Sequence, residues 1–546
     1  MEKAYKERIV YQIYPSSFYD SNNDGWGDLK GITEKLDYLK DLGVGIIWLS
    51  PIYASPMYDM GYDISDYKAI NPRFGTMEDF DCLLHEANIR DIKIVMDLVL
   101  NHSSSENKWF LEAINNPTTK YRNYYYFEKG KGRNAKRPPN NWQSIFVGSA
   151  WEPLVQDPTI YYLHLYCKEQ VDLNYHCEDL VKDIEDIMKF WLDKGVYGFR
   201  CDAVCNLYKT SLANGKHRIV QTGREFYEDQ EGLHTLLRKL RKDVLNNYDT
   251  FMVGEVPSAT VDISNDYIKN KEFEMVFTFE HQNVDKGRFI PTIKRFYRPR
   301  NLLKILFKYQ EGCAYCANYL ENHDQLRSVS RFVKEKYRNE GAKAYSMLLL
   351  TLKGTPFLYQ GQEIGMTNLS EEPKKVEDSR DVVVTNIYNL ARKFHFPKKL
   401  ALRITKHMNR DNERTPMQWN DSVNAGFNKG WKPWLGVNTN YLDKHINVKD
   451  EAEDHDSIYN FYKDMIKFRN ESEILKKGTF VRLKSHKDVA KFVRTYKGHK
   501  LLIVINLSSH KIADNDKIDR KMLLSNYRQD FIKMMPPYFC AIYEIA

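Results

Sequence analysis

Asp202, Glu255 and Asp324 each stand at or just past the end of a short apolar run: GFRCDAV at 198–204, FMVGEV at 251–256, and ENHDQ directly after CAYCANYL at 313–320. Asp97 and His102 close the run IKIVMDLVL at 92–100 in the same way, Arg200 shares its run with Asp202, and His323 precedes Asp324. Crowded carboxylates raise one another's pKa, while a neighbouring Arg lowers that of its partner. Such a group can keep one carboxylate ionised and another protonated. That division suits cleavage of an acetal with retention, in which one carboxylate attacks carbon and the other first gives and then takes a proton. A single acid at a strand end is more often a turn or helix cap. The joint placement of three on successive runs is what points to chemistry.

A second set of oxygens lies in DSNNDGWGDLKG at 20–31. Asp20, Asn22 and Asp24 alternate, Gly25 permits a turn, Trp26 offers its carbonyl and Asp28 follows, which matches the first nine positions of an EF-hand loop. Position 12 is Gly31, with no side chain to ligate, and the preceding IVYQIYPSSF is β-branched and aromatic where an EF-hand needs a helix. The expected site is a single strand-loop-helix cation site rather than a sensor; the competing reading is a polar turn with no metal.

The elements that must position these residues recur as short strands followed by helix-length segments: 9–14, 44–50, 92–100, 198–204, 251–256, 273–279, 313–320 and 356–362. Eight strands alternating with helices imply parallel βαβ units, and the count of eight favours a closed (β/α)8 TIM barrel, whose functional side chains project from the C-terminal strand ends. The Tyr-, Asn-, Pro- and Gly-rich stretch 103–172 is too long for one connecting helix and reads as a small inserted domain after strand 3. A further insertion spans about 364–455, and the amphipathic stretch YNFYKDMIKF at 459–468 precedes a change to alternating strands such as KLLIVINLS. The division expected is a barrel from 1–102 and 173–471, the insert at 103–172, and a C-terminal antiparallel β domain at 472–546.

With 546 residues, 42% of them hydrophobic, the chain fits a multidomain globular protein. Charges interrupt the first apolar run, so no signal peptide is read, and no stretch reaches membrane-span length. The eight cysteines show no metal spacing beyond Cys313 and Cys316, whose side chains on a strand would face opposite sides. Reduced thiols and a cytoplasmic location are expected. The net charge of +8 is spread, with clusters at 294–304 and 392–410 and no nucleic-acid motif. The expected partners are small sugars, not nucleic acid or membrane.

The motifs DLVLNH at 97–102, QVDLN at 170–174, GFRCDAV at 198–204, GEV at 254–256 and ENHDQ at 321–325, supported by YDMGYDISDY, RDNERTPMQW and MPPYFCAIYEI, resemble glycoside hydrolase family 13, the α-amylase family, and within it the α-glucosidase and oligo-1,6-glucosidase branch. The resemblance covers nearly the whole chain. It implies Asp202 as nucleophile, Glu255 as general acid and base, and Asp324 as the carboxylate that grips substrate hydroxyls as the ring flattens. It implies Arg200 as the group keeping Asp202 ionised, and Tyr62 as the stacking residue of a terminal-glucose pocket walled by Phe146 and Tyr166. Asp59, His102, His323 and Arg414 would bind hydroxyls, with Asp59 and Arg414 closing the far end of the pocket in favour of exo-cleavage. The loop residues Asp20, Asn22, Asp24, Trp26 and Asp28 would hold a structural Ca2+ or Mg2+, with no organic cofactor, in a monomer or weak homodimer.

Ala203 follows the nucleophile where the family carries Val with α-1,6 specificity and Ala or Thr with α-1,4, so a maltose-like linkage is expected. Val171 and Leu326 replace common prolines, and Cys201 stands where a larger aliphatic residue is usual. KRFYRPR at 294–300 does not reproduce the RLDRY of sucrose isomerases. The rival readings are an isomaltase, a trehalose-6-phosphate hydrolase using the basic stretch 294–304, and, from another class, a non-catalytic sugar-binding or transporter-heavy-chain-like protein. The last lacks support where all three carboxylates are kept and no span is read.

Overall fold

The computed structural model describes residues 3–287, 294–370, 373–514, 520–527, 529 and 533–545. Eight parallel strands form its centre: β1 (Val10–Ile13), β2 (Ile46–Leu49), β3 (Lys93–Val99), β4 (Gly198–Asp202), β5 (Phe251–Glu255), β6 (Met275–Phe277), β7 (Ala317–Asn318) and β8 (Thr355–Tyr359). Their order is β6-β5-β4-β3-β2-β1-β8-β7, the sequential winding of a (β/α)8 barrel. The seam between β6 and β7 is bridged beyond the strand ends. There Tyr319 Oη donates to Thr278 O (2.9 Å), Gln282 Nε2 donates to Leu320 O (3.1 Å), and His281 Nε2 lies 2.9 Å from Tyr319 O.

Side-chain alternation along each strand divides the core. Val10, Ile46, Trp48, Val95, Val253, Phe277 and Phe357 fill the barrel interior, with Trp48 stacked on Phe277 at 5.6 Å. Ile9, Tyr11, Ile47, Ile94 and Phe199 face the surrounding helices. The interior phase is the one that carries Asp97, two residues after Val95, and Glu255, two after Val253. Register completes the positioning, because Arg200 on β4 pairs with Asp97 on β3, and Cys201 with Gly254 on β5.

The insertion after β3 leaves and returns through an antiparallel pair, His102–Ser104 with Gln170–Asp172, and holds a three-stranded sheet of Phe127–Lys129, Ile160–Leu163 and Trp151–Pro153. After β8 the chain forms a helical hairpin, Val382–Lys393 and Lys398–Thr405. A C-terminal antiparallel sheet comprises β9 (Thr479–Arg482), β10 (Val489–Tyr496), β11 (His499–Asn506), β12 (Arg520–Ser525) and β13 (Cys540–Ile545), in the order β9-β10-β11-β13-β12. Arg494 ties this sheet to the barrel. Its guanidinium is fully buried and donates to the carbonyls of Thr351 (2.6 Å), Gly478 (2.9 Å) and Leu475 (3.0 Å).

The seventh strand is shorter than its sequence run. Only Ala317–Asn318 pair, and Cys313 follows directly on the helix Pro299–Gly312. Cys313 and Cys316 therefore do not lie on opposite faces of a strand. Both are buried in one cluster with Tyr309, and the Cys316 thiol donates to Tyr309 O at 3.6 Å. All eight cysteines are free. Among the described residues no helix is long and apolar enough to cross a membrane.

Candidate active site

Arg200 is the centre of the site, with 1% of its surface exposed. Its Nη1 donates to Asp97 Oδ1 at 2.7 Å and to Asp202 Oδ1 at 2.8 Å, while Nη2 donates to Glu255 Oε2 at 2.5 Å. One guanidinium thus fans three carboxylates from three adjacent strands. The sequence expects Arg200 to keep Asp202 ionised, and here its single positive charge is shared among three buried carboxylates. Burial pushes the Asp202 carboxyl well above the usual carboxylate range; Arg200 opposes this, and the charges of Glu255 and Asp97 add to it. Asp97 is likewise raised, to about 6, by burial against the pull of Arg200. The cluster as a unit retains a proton into the neutral range.

The spacing leaves one oxygen of each key carboxylate toward the pocket. Asp202 accepts protein hydrogen bonds only at Oδ1 among the described residues, and Glu255 only at Oε2, from Arg200 and from the Ala203 amide at 3.2 Å. Ala203 reaches Glu255 because the chain turns sharply after the strand, with Ala203 at φ +42°. That left-handed conformation is accessible to Ala at modest cost and is a poor one for a β-branched side chain.

Asp324 has the opposite electrostatics. Burial alone would raise its pKa, but His323, Arg410 and Arg414 outweigh it and hold the carboxylate well below its ordinary range. Arg414 Nη2 donates to Asp324 Oδ1 at 2.7 Å and its Nε to His323 O at 2.9 Å. His323 itself is buried and its pKa is pushed down to about 3, so the ring is neutral. The Gln12 amide nitrogen lies 2.7 Å from Nδ1. When that amide donates, the ring proton sits on Nε2, which faces Tyr62 Oη at 2.5 Å and Asp324 Oδ2 at 3.2 Å. Tyr62 Oη in turn donates to Asp97 Oδ2 at 3.1 Å, and its ring is parallel to that of His323 at 5.4 Å.

The far end of the pocket differs from the sequence reading. Asp59 is paired with Arg410, not Arg414: Arg410 Nη2 donates to Asp59 Oδ1 at 3.1 Å and to Asp381 Oδ1 at 2.7 Å, and Nη1 donates to Asp324 Oδ1 at 3.2 Å. Both arginines belong to RDNERTPMQW, four residues apart, and composition cannot tell which one points to Asp59. Gln170 is a further residue that sequence reasoning left unassigned. Its Nε2 donates to Asp59 Oδ2 at 3.2 Å and lies 3.0 Å from His102 Nε2, which is also 3.0 Å from Tyr62 O. Its signal was the motif QVDLN itself, which begins on it. Asp381 carried no signal, being one acid in a long insertion.

Phe146 and Tyr166 are edge to face at 5.2 Å. Tyr166 packs 5.3 Å from His102 and accepts from Asn206 Nδ2 at 3.0 Å, while the Arg410 guanidinium sits 5.3 Å over the Phe146 ring. The three carboxylates, Arg200 and the predicted pocket residues are thereby in one connected set.

The loop at 20–28 lies apart from this set and is bound by its own carboxylates. Asp20 accepts from the amides of Asn23 (2.6 Å) and Gly25 (2.8 Å) and from Asn428 Nδ2 (2.9 Å). Asp24 accepts from the Trp26 amide (2.8 Å) and from Asn22 Nδ2 (3.2 Å), and Asp28 caps the next helix through the Gly31 amide (2.6 Å). Among the described residues no three His, Cys, Asp or Glu side chains converge as a metal cluster.

The family description "Alpha amylase, catalytic domain" matches residues 12–478. The chain is 43% identical over 552 residues to an oligo-1,6-glucosidase of Parageobacillus thermoglucosidasius, covering 97% of this chain and 96% of the relative. It is 40% identical over 563 residues to a trehalose-6-phosphate hydrolase of Bacillus subtilis, covering 99% and 98%. The crystal structure of the Bacillus licheniformis trehalose-6-phosphate hydrolase superposes with a TM-score of 0.90 at 37% identity over the full length of both chains. Family match, barrel and full-length relatives agree: the chain belongs to the α-amylase family of glycoside hydrolases and is an enzyme of the α-glucosidase type.

Proposed function

We propose that the enzyme releases terminal glucose from short α-glucosides with retention, and that it favours an α-1,4 bond. The observation that carries the exo reading is Arg410, which bridges Asp59, Asp324 and Asp381 and closes one end of the pocket with charge. A sugar chain cannot thread past that end, so the glucose bound there is the last one.

In this reading Asp202 Oδ2 attacks the anomeric carbon, and the carbon–oxygen bond to the leaving sugar breaks as Glu255 donates its proton to that oxygen. The cluster around Arg200 supplies both partners, one ionised and one protonated, and retention requires the two carboxyl groups to lie about 5 Å apart. Water then enters, Glu255 takes its proton, and the hydroxide displaces Asp202. Asp324, held ionised by two arginines, binds ring hydroxyls and stabilises the positive charge that develops at the anomeric centre. Tyr62, His102 and His323 position the ring.

Ala203 supports the α-1,4 preference. It is small, buried and adjacent to both Asp202 and the Glu255 carboxylate, leaving room for an aglycone attached through a secondary hydroxyl oxygen on its ring. The likeness to oligo-1,6-glucosidases favours the second reading, an α-1,6 bond.

A divalent cation in the loop at 20–28 belongs to the same proposal. The donor set of Asp20, Asn22, Asp24, Asp28 and the Trp26 carbonyl is all oxygen, which suits Ca2+ or Mg2+. Such an ion would pin the loop and stand outside the chemistry. The free thiols support a reducing compartment.

The test is glucose release from maltose, isomaltose, sucrose, trehalose and trehalose 6-phosphate, with Asp202→Asn as control. Maltose as the best substrate supports the reading; isomaltose as the best substrate keeps the mechanism and overturns the linkage. Silence on every sugar overturns both.

A further inference from the structure

The helical hairpin after β8 carries one sign of charge. Residues 382–410 contain seven Lys or Arg and no Asp or Glu. Positions 392–400, the turn 394–397 with the helix ends on either side, are exposed throughout. Phe394 is 68% exposed, Leu400 42% and Phe396 41%. Arg392 Nη1 donates to Phe396 O at 2.5 Å across the turn. Arg392, Lys393, Lys398, Lys399 and Arg403 have no ion pair among the described residues. Exposed lysines elsewhere do meet carboxylates, as Lys239 meets Glu185 at 2.6 Å and Lys308 meets Glu280 at 3.1 Å.

The base of the hairpin, in contrast, is firmly held. Asp381 caps the first helix through the Val383 amide and pairs with Arg410, and Asn386 Nδ2 donates to Phe146 O at 3.0 Å. Val383, Val384, Ala391 and Ala401 are buried. The second basic cluster of the sequence, at 294–304, adds to the same face. Its Lys294 lines one cavity with Arg331 and with Lys399, Arg403, Lys406 and His407, and Phe296, two residues on, is 84% exposed. Two cationic stretches distant in sequence, each bearing exposed phenylalanine, therefore converge. Like charges brought together repel one another, and an anionic surface laid against them removes that cost.

We propose that the hairpin tip seats the enzyme on an anionic lipid surface, with Phe394 and Phe396 at the acyl boundary and the flanking Lys and Arg at the headgroups. Aromatic and aliphatic side chains bracketed by cations are the composition of interfacial segments, and negative leaflets attract such clusters. A protein partner fits less well, because protein interfaces bury about 800 Å2 per side around a centre depleted of charge. Here charged residues flank the rings directly on both sides. Single-stranded nucleic acid is gripped in grooves, and a hairpin turn offers none. The sequence excludes a membrane partner only through its apolar run lengths, which concern spans; a peripheral contact needs no span. Since the hairpin starts at Asp381 and leads to Arg410, the element that docks is the one that closes the glucose pocket.

The experiment sediments the full chain with vesicles of phosphatidylcholine alone and of phosphatidylcholine mixed with phosphatidylglycerol. It uses the wild type and the double variants Phe394→Ser/Phe396→Ser and Lys398→Glu/Lys399→Glu. The expected result is binding to the anionic vesicles only, weakened at high salt and lowered about tenfold or more in each double variant. Hydrolysis of p-nitrophenyl α-glucoside without vesicles should be equal in all three proteins. Phe394→Trp supplies a gain of signal: lipids brominated near the headgroup should quench its fluorescence more than that of the wild type. No binding to anionic vesicles, or binding that survives both double substitutions, overturns the inference. Binding lost with the lysines but kept without the phenylalanines, or no added quenching in Phe394→Trp, overturns the seating of the rings. Polyglutamate or a single-stranded oligonucleotide bound through these residues, where vesicles are not, gives the face to another class of partner and also overturns it. The inference does not rest on the α-glucosidase reading, so a chain that cleaves no glucoside but binds anionic vesicles through the tip still supports it.

Discussion

Asp59 and Arg410 are 351 residues apart in sequence and meet at 3.1 Å. The same guanidinium reaches Asp324 at 3.2 Å and Asp381 at 2.7 Å. One residue of the insertion after β8 therefore closes the pocket opened by the loop after β2. Arg410→Ala is expected to lower kcat/KM on maltose about 100-fold or more, since it removes charge-assisted bonds each worth roughly 1.5–3 kcal/mol. It also leaves Asp59 and Asp381 buried without their cation, at a cost of roughly 3–5 kcal/mol in stability. Arg410→Lys should recover charge without the forked geometry and restore activity only in part. Steady-state kinetics beside urea melts separate the two effects; wild-type kcat/KM in Arg410→Ala would remove Arg410 from the pocket.

Glu255→Gln keeps shape and the acceptor oxygen for Arg200 but cannot give a proton. Maltose turnover should fall by about 100-fold or more. A substrate with a good leaving group, such as a dinitrophenyl glucoside, should still form the glycosyl-enzyme, because it needs no acid. A burst of dinitrophenol followed by slow turnover is the expected trace. Equal losses on both substrates would show that Glu255 is not the acid.

Ala203→Val tests the linkage argument and the backbone together. The added methyls intrude beside Glu255, and a β-branched residue is disfavoured at φ +42°. The expected outcome is a loss on maltose of about 10- to 200-fold, the value of one or two methyl-sized contacts, with isomaltose less affected. An unchanged maltose to isomaltose ratio would separate Ala203 from specificity.

Much of this site was legible in the sequence because a barrel converts strand ends into one mouth. Asp97, Arg200, Asp202 and Glu255 meet because three adjacent parallel strands carry them in register. The limits are equally physical. Whether Arg410 or Arg414 would face Asp59 depends on the path of a long insertion that carries no strand periodicity. The protonation of the Arg200 cluster depends on burial, which residue types do not state: burial and the charges of Glu255 and Asp97 push the Asp202 carboxyl up against the pull of Arg200. The two-residue β7 was overestimated because CAYCANYL is mostly apolar and aromatic, although its first half is a bend packed on Tyr309.

His281 links pH to the barrel seam. Burial lowers its pKa from 6.5 to about 4, against the hydrogen bond with Tyr319 O. The unfolded chain therefore binds a proton near pH 6.5 that the folded protein refuses until about pH 4. The neutral ring's contribution is fully present above pH 6.5 and is lost progressively as pH falls to 4, amounting to about 3 kcal/mol over that window. His281→Gln, which does not titrate, should cost more stability at pH 7.5 than at pH 4.5 relative to wild type. Urea unfolding of both proteins at the two pH values measures this, and a pH-independent difference would place His281 outside the linkage.

The loop at 20–28 requires a test that separates a cation from the loop's own hydrogen bonds. Asp20 binds the amides of Asn23 and Gly25 and the side chain of Asn428, so Asp20→Ala weakens the loop whether or not an ion is bound there. Chelation removes only the ion. If Ca2+ or Mg2+ occupies the loop, a chelator should lower the melting temperature, and added divalent ion should restore it in proportion to the logarithm of its free concentration. Glucose release at 25 °C should hardly change, because among the described residues no hydrogen bond or ion pair joins the loop to the Arg200 cluster. Asn22→Ala gives the complementary arm, as it removes one oxygen while sparing the bonds to Asp20, and its melting temperature should respond less steeply to added ion. A melting temperature indifferent to chelator, with metal analysis confirming that no ion remains, would leave the loop as a turn held by its own carboxylates.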